Sequence, residues 1–339
     1  MRSRVVAVAA ALVLALAACG GGGDEENAAA PAGDGFPVTI DHLFGSTEIK
    51  AKPERIVAIG GGDMESAIAI GAVPVAGADW FGFTETRSWV NDALGDRPAP
   101  KLVASFEPKF EEIAALKPDL ILYVNSINDK LQYETFSGIA PTIAAPAGTK
   151  NVYGVPWQQQ VELIAKATGR TADGAKVIAD TEGLVAETAK ANPGWAGKTI
   201  SAGVFSADEF SAWLPSDPRM RLLTSLGFKT NPQIDALDNG DFYVKISQEQ
   251  LEKLNADVIF LAAADQDGKV DPKVTSNPVY NNLATVKAGH AAYFGGAPVI
   301  NSNSDSGQFS SAFSIGGPLG IKYITGKIAP VLNKALPAS

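Results

Sequence analysis

The 339-residue chain has one cysteine, Cys19, and two histidines, His42 and His290. A lone thiol rules out an internal disulfide and any metal site built on a cysteine cluster. The two imidazoles fall in different halves of the chain without metal-ligand spacing. Capture of bare zinc or manganese generally needs clustered imidazoles and carboxylates, so no metal site is expected. No G-x-S-x-G or S-x-x-K segment supplies a serine nucleophile. Gly60-Gly61-Gly62 lacks the lysine and hydroxyl of a phosphate-binding loop and does not fit G-x-G-x-x-G. It suits a close backbone approach at a strand-to-helix turn. An enzyme, a cofactor and catalytic residues are therefore not expected. Basic residues are also scarce: 28 Lys and Arg face 37 Asp and Glu, a net charge of −9. That balance argues against nucleic acid as a partner, which requires a basic footprint. The apolar run Val5 to Ala18 is shorter than the roughly 20 residues of a membrane-spanning helix.

What is present begins at the N-terminus. Arg2 and Arg4 precede the Val5–Ala18 run, the charge pattern and length of a secretory leader. Leu16-Ala17-Ala18-Cys19-Gly20 resembles the bacterial lipobox, which implies cleavage before Cys19 and diacylation of its thiol. An ordinary signal peptide with an incidental cysteine is the alternative. Gly20 to Gly35 is rich in Gly, Ala, Asp and Glu, with no aromatic residue and no apolar periodicity, so it cannot bury enough surface to fold. We expect a lipoprotein signal peptide over 1–18 and a flexible tether over 19–35. The mature protein is then extracytoplasmic and held at the cell membrane only by lipidated Cys19.

The rest is comfortable for two lobes. Arg55 to Ile59 and Val73 to Ala78 read as buried strands flanking a helix, Met64 to Ile70, that Asp63 can cap and Gly71 can stop. This is a βαβ unit and implies a parallel pairing. A helix over Phe110 to Leu116 leads into a strand over Asp119 to Val124, and strands recur at Lys198 to Phe205, Asp257 to Ala262 and His290 to Phe294. The helix–strand segment starting at Phe110 matches the one starting at Gln248: Glu111 falls on Glu249, Ile113 on Leu251, Leu116 on Leu254 and Asp119 on Asp257. The match favours two related lobes, although helix–strand units are common in α/β folds. Between them, Trp157 to Ala191 is helical in pattern, split near Gly169 and Thr171, with Ala175, Ile178, Ala179, Leu184, Val185 and Ala189 as the expected buried stripe. The expected fold is α/β: two lobes with mainly parallel sheets, 36–156 and 195–339, joined by a bridging helical segment, 157–194. Such a bridge should restrict the lobes to small relative motions.

From about Val38 to Leu336 the chain resembles the helical-backbone class of periplasmic-type binding proteins, which serve ferric-siderophore, haem and vitamin B12 importers of the ATP-binding-cassette type. The resemblance rests on Pro53-Glu54-Arg55-Ile56-Val57, Glu111 through Ile121, Ala140-Pro141-Thr142, Ser247 through Leu251 with Asp257-Val258-Ile259, and Asn277-Pro278, taken in order and spacing. It implies a monomer that binds its ligand between the lobes. It also implies that one acid from each lobe, Glu111 and Glu249, docks on the importer's permease subunits. Both acids equally suit the positive end of a helix, and Ser247 with Gln250 reads as a capping box.

Open parallel sheets bind ligands at the carboxyl ends of their strands. The loops expected there are 60–63, 79–81, 105–106 and 125–126 in the first lobe, and 206–213, 241–243, 264–265 and 301–308 in the second. Trp80, Phe81, Trp213 and Tyr243 are the expected aromatic contacts, although each would equally fill a core. Arg87 and Arg219 could pair with chelate oxygens or with surface carboxylates. The expected ligand is a ferric siderophore, with haem or cobalamin as the alternative of the same class. The scarcity of cations near these loops favours a chelate of little charge.

Overall fold

The computed structural model describes residues 35–83 and 85–336. Cys19, the leader and most of the tether lie outside these residues. No helix among the described residues is long and apolar enough to cross a membrane.

An antiparallel hairpin, β1 (Val38–His42) and β2 (Gly45–Ile49), opens the described chain. The first lobe's sheet follows with β3 (Ile56–Ala58), β4 (Ala76–Asp79), β5 (Lys101–Ala104), β6 (Leu120–Tyr123) and β7 (Thr142–Ala144). Its order is β5-β4-β3-β6-β7, and every pairing is parallel. Ile-Val-Ala in β3 and Leu-Ile-Leu-Tyr in β6 are wholly buried, as expected of parallel strands covered by helices on both faces. Strand order reverses between β3 and β6, so their carboxyl ends form a switch-point crevice.

The second lobe contains β8 (Thr199–Ser206), β9 (Glu209–Trp213), β10 (Lys229–Thr230), β11 (Tyr243–Ile246), β12 (Val258–Ala264) and β13 (Ala291–Gly295). They run β11-β9-β8-β12-β13, with β10 also on β8; the β8–β9 and β9–β11 pairings are antiparallel and the others parallel. The segment 206–213, expected as a cleft loop, is instead mostly strand. Ser206 pairs with Glu209 across a two-residue turn at Ala207-Asp208, both with positive φ, 49° and 64°. Such turns usually carry Asn-Gly or Asp-Gly, so Ala-Asp leaves no sequence signal.

The two lobes use one construction. Asp119, just before β6, accepts from the backbone N–H groups of Glu54 and Arg55 at 2.8 Å each. Asp257, just before β12, accepts from the Thr199 N–H at 2.7 Å and its hydroxyl at 2.9 Å. In each lobe the matched aspartate ties its own strand to the start of the neighbouring first strand. The preceding segments differ in detail: Phe110–Ala115 is α-helical, whereas Gln248–Leu254 is a 3₁₀-helix that carries the Ser247–Gln250 capping box.

The bridge consists of two helices, Trp157–Thr168 and Thr171–Ala191, separated by Gly169 in the left-handed conformation. On the longer helix Ala175 and Ala179 are exposed, and burial runs through Gly174, Thr181 and Val185. The expected stripe is thus rotated. A side chain on Gly174 would press on the Ala165 methyl at 2.6 Å, so the glycine lets the two helices approach closely and sets which face turns inward. Behind the cleft the lobes share a core. Ile68, Trp89, Val90 and Leu94 of the first lobe pack in one cluster with Trp213, Phe260, Phe294, Phe313, Ile321 and Ile324 of the second.

Candidate functional site

The crevice at β3 and β6 is built on Gly60-Gly61-Gly62. Gly61 N–H donates to the Asn125 carbonyl at 2.7 Å, and its own carbonyl accepts from Asn125 Nδ2 at 3.1 Å and Gln160 Nε2 at 2.8 Å. Gly62, at φ 77°, is the N-cap of helix Asp63–Ala69. Asp63 is therefore not the cap. Its carboxylate is wholly buried and accepts from the N–H groups of Gly60 at 3.0 Å and Val124 at 2.9 Å and from Gln160 Nε2 at 2.5 Å. It ties both strand ends to the bridge. Burial pushes its pKa up to about 6, against the pull of those donors.

Above this crevice lies a pocket of about 160 Å³, lined from the first lobe by Gly61, Trp80, Phe81, Phe106, Asn125 and Tyr153. Pro218, Arg219, Phe242, Ser314 and Ile315 close it from the second. Trp80 meets Phe106 and Tyr153 edge-on, each at 5.1 Å between ring centres, and Tyr153 meets Phe242 at 5.6 Å across the lobes. Burial, aided by the Tyr123 phenol and the Asp241 carboxylate, raises the pKa of Tyr153 and keeps its phenol protonated. A second pocket of about 290 Å³ lies among the strand ends of the second lobe, around Ser206, Asp208, Asp265, Lys269 and Gly296. It is larger but formed by one lobe only, with Phe205 as the one aromatic among its described lining residues.

Trp80, Phe81 and Arg219 thus line the interlobe pocket. Arg219 lies 3.9 Å over the Trp213 ring and is gripped by Asp217, Nε at 2.9 Å and Nη2 at 2.6 Å. Trp213 itself is 3% exposed, packed against Phe294 and Phe313. Its position at the end of β9, opposite Tyr243 on β11, turns it into the core. Tyr243 meets Phe242 in a tilted contact, 4.9 Å between ring centres, and does not line the pocket. Arg87, expected in the cleft, is buried and holds the lobes together: it donates to the carbonyls of Ile300 at 2.9 Å and Ser302 at 3.0 Å and to Asn303 Oδ1 at 2.7 Å. Its guanidinium also lies 3.5 Å over Phe83.

Glu111 and Glu249 are exposed on opposite lobes, away from the pocket walls. The neighbouring Glu112 pairs with Lys101 at 2.5 Å, whereas the Glu249 carboxylate is held below its usual pKa by its own backbone N–H and by Ser247. Tyr153, Ser314 and Ile315 were not anticipated. Tyr153 sits at φ 50° in the turn before the bridge, where an aromatic beside Gly154 was the available signal. Ser314 and Ile315 end a helix, Asp305–Ile315, that runs up to the pocket from a distant part of the sequence.

This architecture has relatives. The family model described as periplasmic binding protein matches residues 56–297, and the chain belongs to that family. It is 29% identical over 266 residues to the probable siderophore-binding lipoprotein YfiY of Bacillus subtilis, covering 75% of this chain and 78% of that one. The Fe(3+)-citrate-binding protein YfmC of the same species is 26% identical, covering 72% and 74%. Among solved structures, the iron-uptake substrate-binding protein PiaA of Streptococcus pneumoniae superposes with a TM-score of 0.73 at 26% identity, covering 89% of this chain and 100% of its own. SirA of Staphylococcus aureus, solved with staphyloferrin B, gives 0.69 at 25% identity, covering 87% and 98%. These relatives are substrate-binding proteins, and the fold is theirs: two α/β lobes on a helical bridge.

Proposed function

We propose that this protein captures a ferric siderophore between its lobes outside the cytoplasm and passes it to an importer of the ATP-binding-cassette type. It does so without catalysis, as a monomer tethered to the membrane through lipidated Cys19. The observation that carries this reading is the interlobe pocket, walled by Trp80, Phe106, Tyr153 and Phe242 at a strand switch point. Relatives named for siderophore and ferric-citrate binding, and a like fold solved around staphyloferrin B, point the same way.

Three of the expected contacts, Trp80, Phe81 and Arg219, touch ligand in this reading; Trp213 and Tyr243 support them from behind, and Arg87 fixes the lobe-to-lobe frame. At about 160 Å³ the pocket is smaller than the usual 300–1,000 Å³ of enclosed ligand sites, so part of a siderophore projects from the cleft. The test is a fluorescence-quenching titration of the mature protein against ferric siderophores, haem and cobalamin. Saturable quenching by a ferric siderophore, lost in Trp80→Ala, supports the reading. Binding of haem or cobalamin alone, or undiminished siderophore binding by the variant, overturns the ligand or its placement.

A further inference from the structure

Resting on that reading, the pocket's chemistry narrows the ligand further. Among the described residues, Arg219 is the single charged side chain lining it. Its charge is already matched: Asp217, with no exposed surface, takes two of its N–H groups, and only Nη1 reaches elsewhere, to Ser314 Oγ at 3.3 Å. Arg221, on the same helix, donates to the Gly154 carbonyl at 2.7 Å and also feels the Asp217 charge. The Asp241 carboxylate acts on Tyr153 from the other side. Among the described residues that line the pocket, the one cation, Arg219, already has its counter-charge in Asp217, while Arg221 and Asp241 lie outside the lining, Arg221 with its Nη1 unpartnered.

The pocket nevertheless offers hydrogen-bond donors. Trp80 Nε1–H is buried with no partner, although an unmet buried donor is costly. Arg219 Nη1 makes only a long bond. Asn125, Ser314 and the Tyr153 hydroxyl are the other polar groups of the lining, and the rest is aromatic, aliphatic or glycine. Donors without net charge, set in an apolar wall, fit a ligand that is rich in acceptor oxygens yet not anionic.

We infer that the cleft selects ferric tris-hydroxamates, neutral or singly positive, over anionic citrate and catecholate chelates, with Trp80 Nε1–H donating to a hydroxamate oxygen. A tris-hydroxamate neutralises Fe³⁺ with three monoanionic groups, whereas three catecholates leave the complex triply negative. Bringing such a charge into a largely apolar pocket whose one guanidinium is already paired is unfavourable, because its lost hydration is not replaced by an opposite charge.

The test is direct titration of the mature protein with a ferric tris-hydroxamate, ferric citrate and a ferric tris-catecholate, at low and high salt. The expected result is tris-hydroxamate binding at least about tenfold tighter than either anion, and nearly independent of salt because no ion pair forms with the ligand. Trp80→Phe keeps an aromatic face, though a smaller one, and removes the donor; tris-hydroxamate affinity should fall by roughly three- to tenfold with the fold retained in its melting curve. Asp217→Asn, checked for folding by its melting curve, frees the Arg219 charge and should improve the anionic chelates relative to the hydroxamate. Tighter binding of citrate or catecholate by the unaltered protein, or full affinity in Trp80→Phe, overturns this inference and leaves the siderophore reading standing. Failure of all three chelates to bind overturns both.

Discussion

Glu65 accepts from Trp89 Nε1 at 2.8 Å and from the Gly320 N–H at 3.0 Å, in the first turn of helix Pro318–Thr325. One carboxyl thus joins a first-lobe helix, an indole and the start of a second-lobe helix. It is fully buried, and burial raises its pKa from 4.5 to about 7 against the pull of both donors. The folded chain therefore holds this proton more tightly than the unfolded chain, which releases it near 4.5. The stabilising contribution is complete below 4.5 and is lost as pH rises toward about 7. Asp63, raised from 3.8 to about 6, acts in the same direction. Glu65→Gln cannot ionise, so its urea midpoint should decline less than the unaltered protein's between pH 4.5 and 7.5. Parallel midpoints across that range would show that Glu65 stays ionised in the fold.

Strand β8 depends on Gly203. It lies opposite Ala212 of β9, and a Cβ added there would collide with the Ser211 carbonyl oxygen. The obstruction is backbone, so no side chain can swing away to relieve it. Gly203→Ala should force β9 outward and cost about 1–3 kcal/mol in denaturant titrations, the usual range for overpacking. Because β9 carries Trp213, the platform under Arg219, ligand affinity should fall as well. Unchanged stability would mean that the β8–β9 pair yields without loss. The same strands show what was legible in the sequence. Parallel strands β3, β4, β6, β8, β12 and β13 announced themselves as short apolar runs, whereas the short outer strands β5, β7 and β10 did not, and the bridge showed in its helical pattern broken at Gly169. The antiparallel β9 and β11 did not: β9 follows β8 through an Ala-Asp turn, and β11 reaches β9 only after the intervening residues 214–242. Trp80 and Phe81 could be placed beside the cleft because they directly follow a parallel strand. Arg87 could not be separated from a ligand contact, because its partners at 300–303 lie over two hundred residues away.

At the scale of the whole molecule, the shared core behind the cleft and the cross-lobe bonds of Glu65, Arg87 and Arg221 oppose wide hinge opening. A carrier whose lobes barely move must be recognised through surfaces that both lobes present in fixed relation. Glu111 and Glu249 meet that need: they hold matched positions in the two lobes, both are exposed, and neither lines the interlobe pocket. We propose them as the two acids that engage basic sites on the permease subunits. Local helix chemistry is the competing use, and for Glu249 the adjoining capping box through Ser247 and Gln250 is already in place. The double variant Glu111→Lys, Glu249→Lys separates the two. Docking predicts ligand affinity and melting temperature close to those of the unaltered protein, with uptake reduced by about tenfold or more through like-charge repulsion at both contacts. Each single reversal should fall between, since one lobe can still engage. A purely local role predicts a lower melting temperature and undiminished uptake per folded molecule, and that outcome would remove both residues from the importer interface.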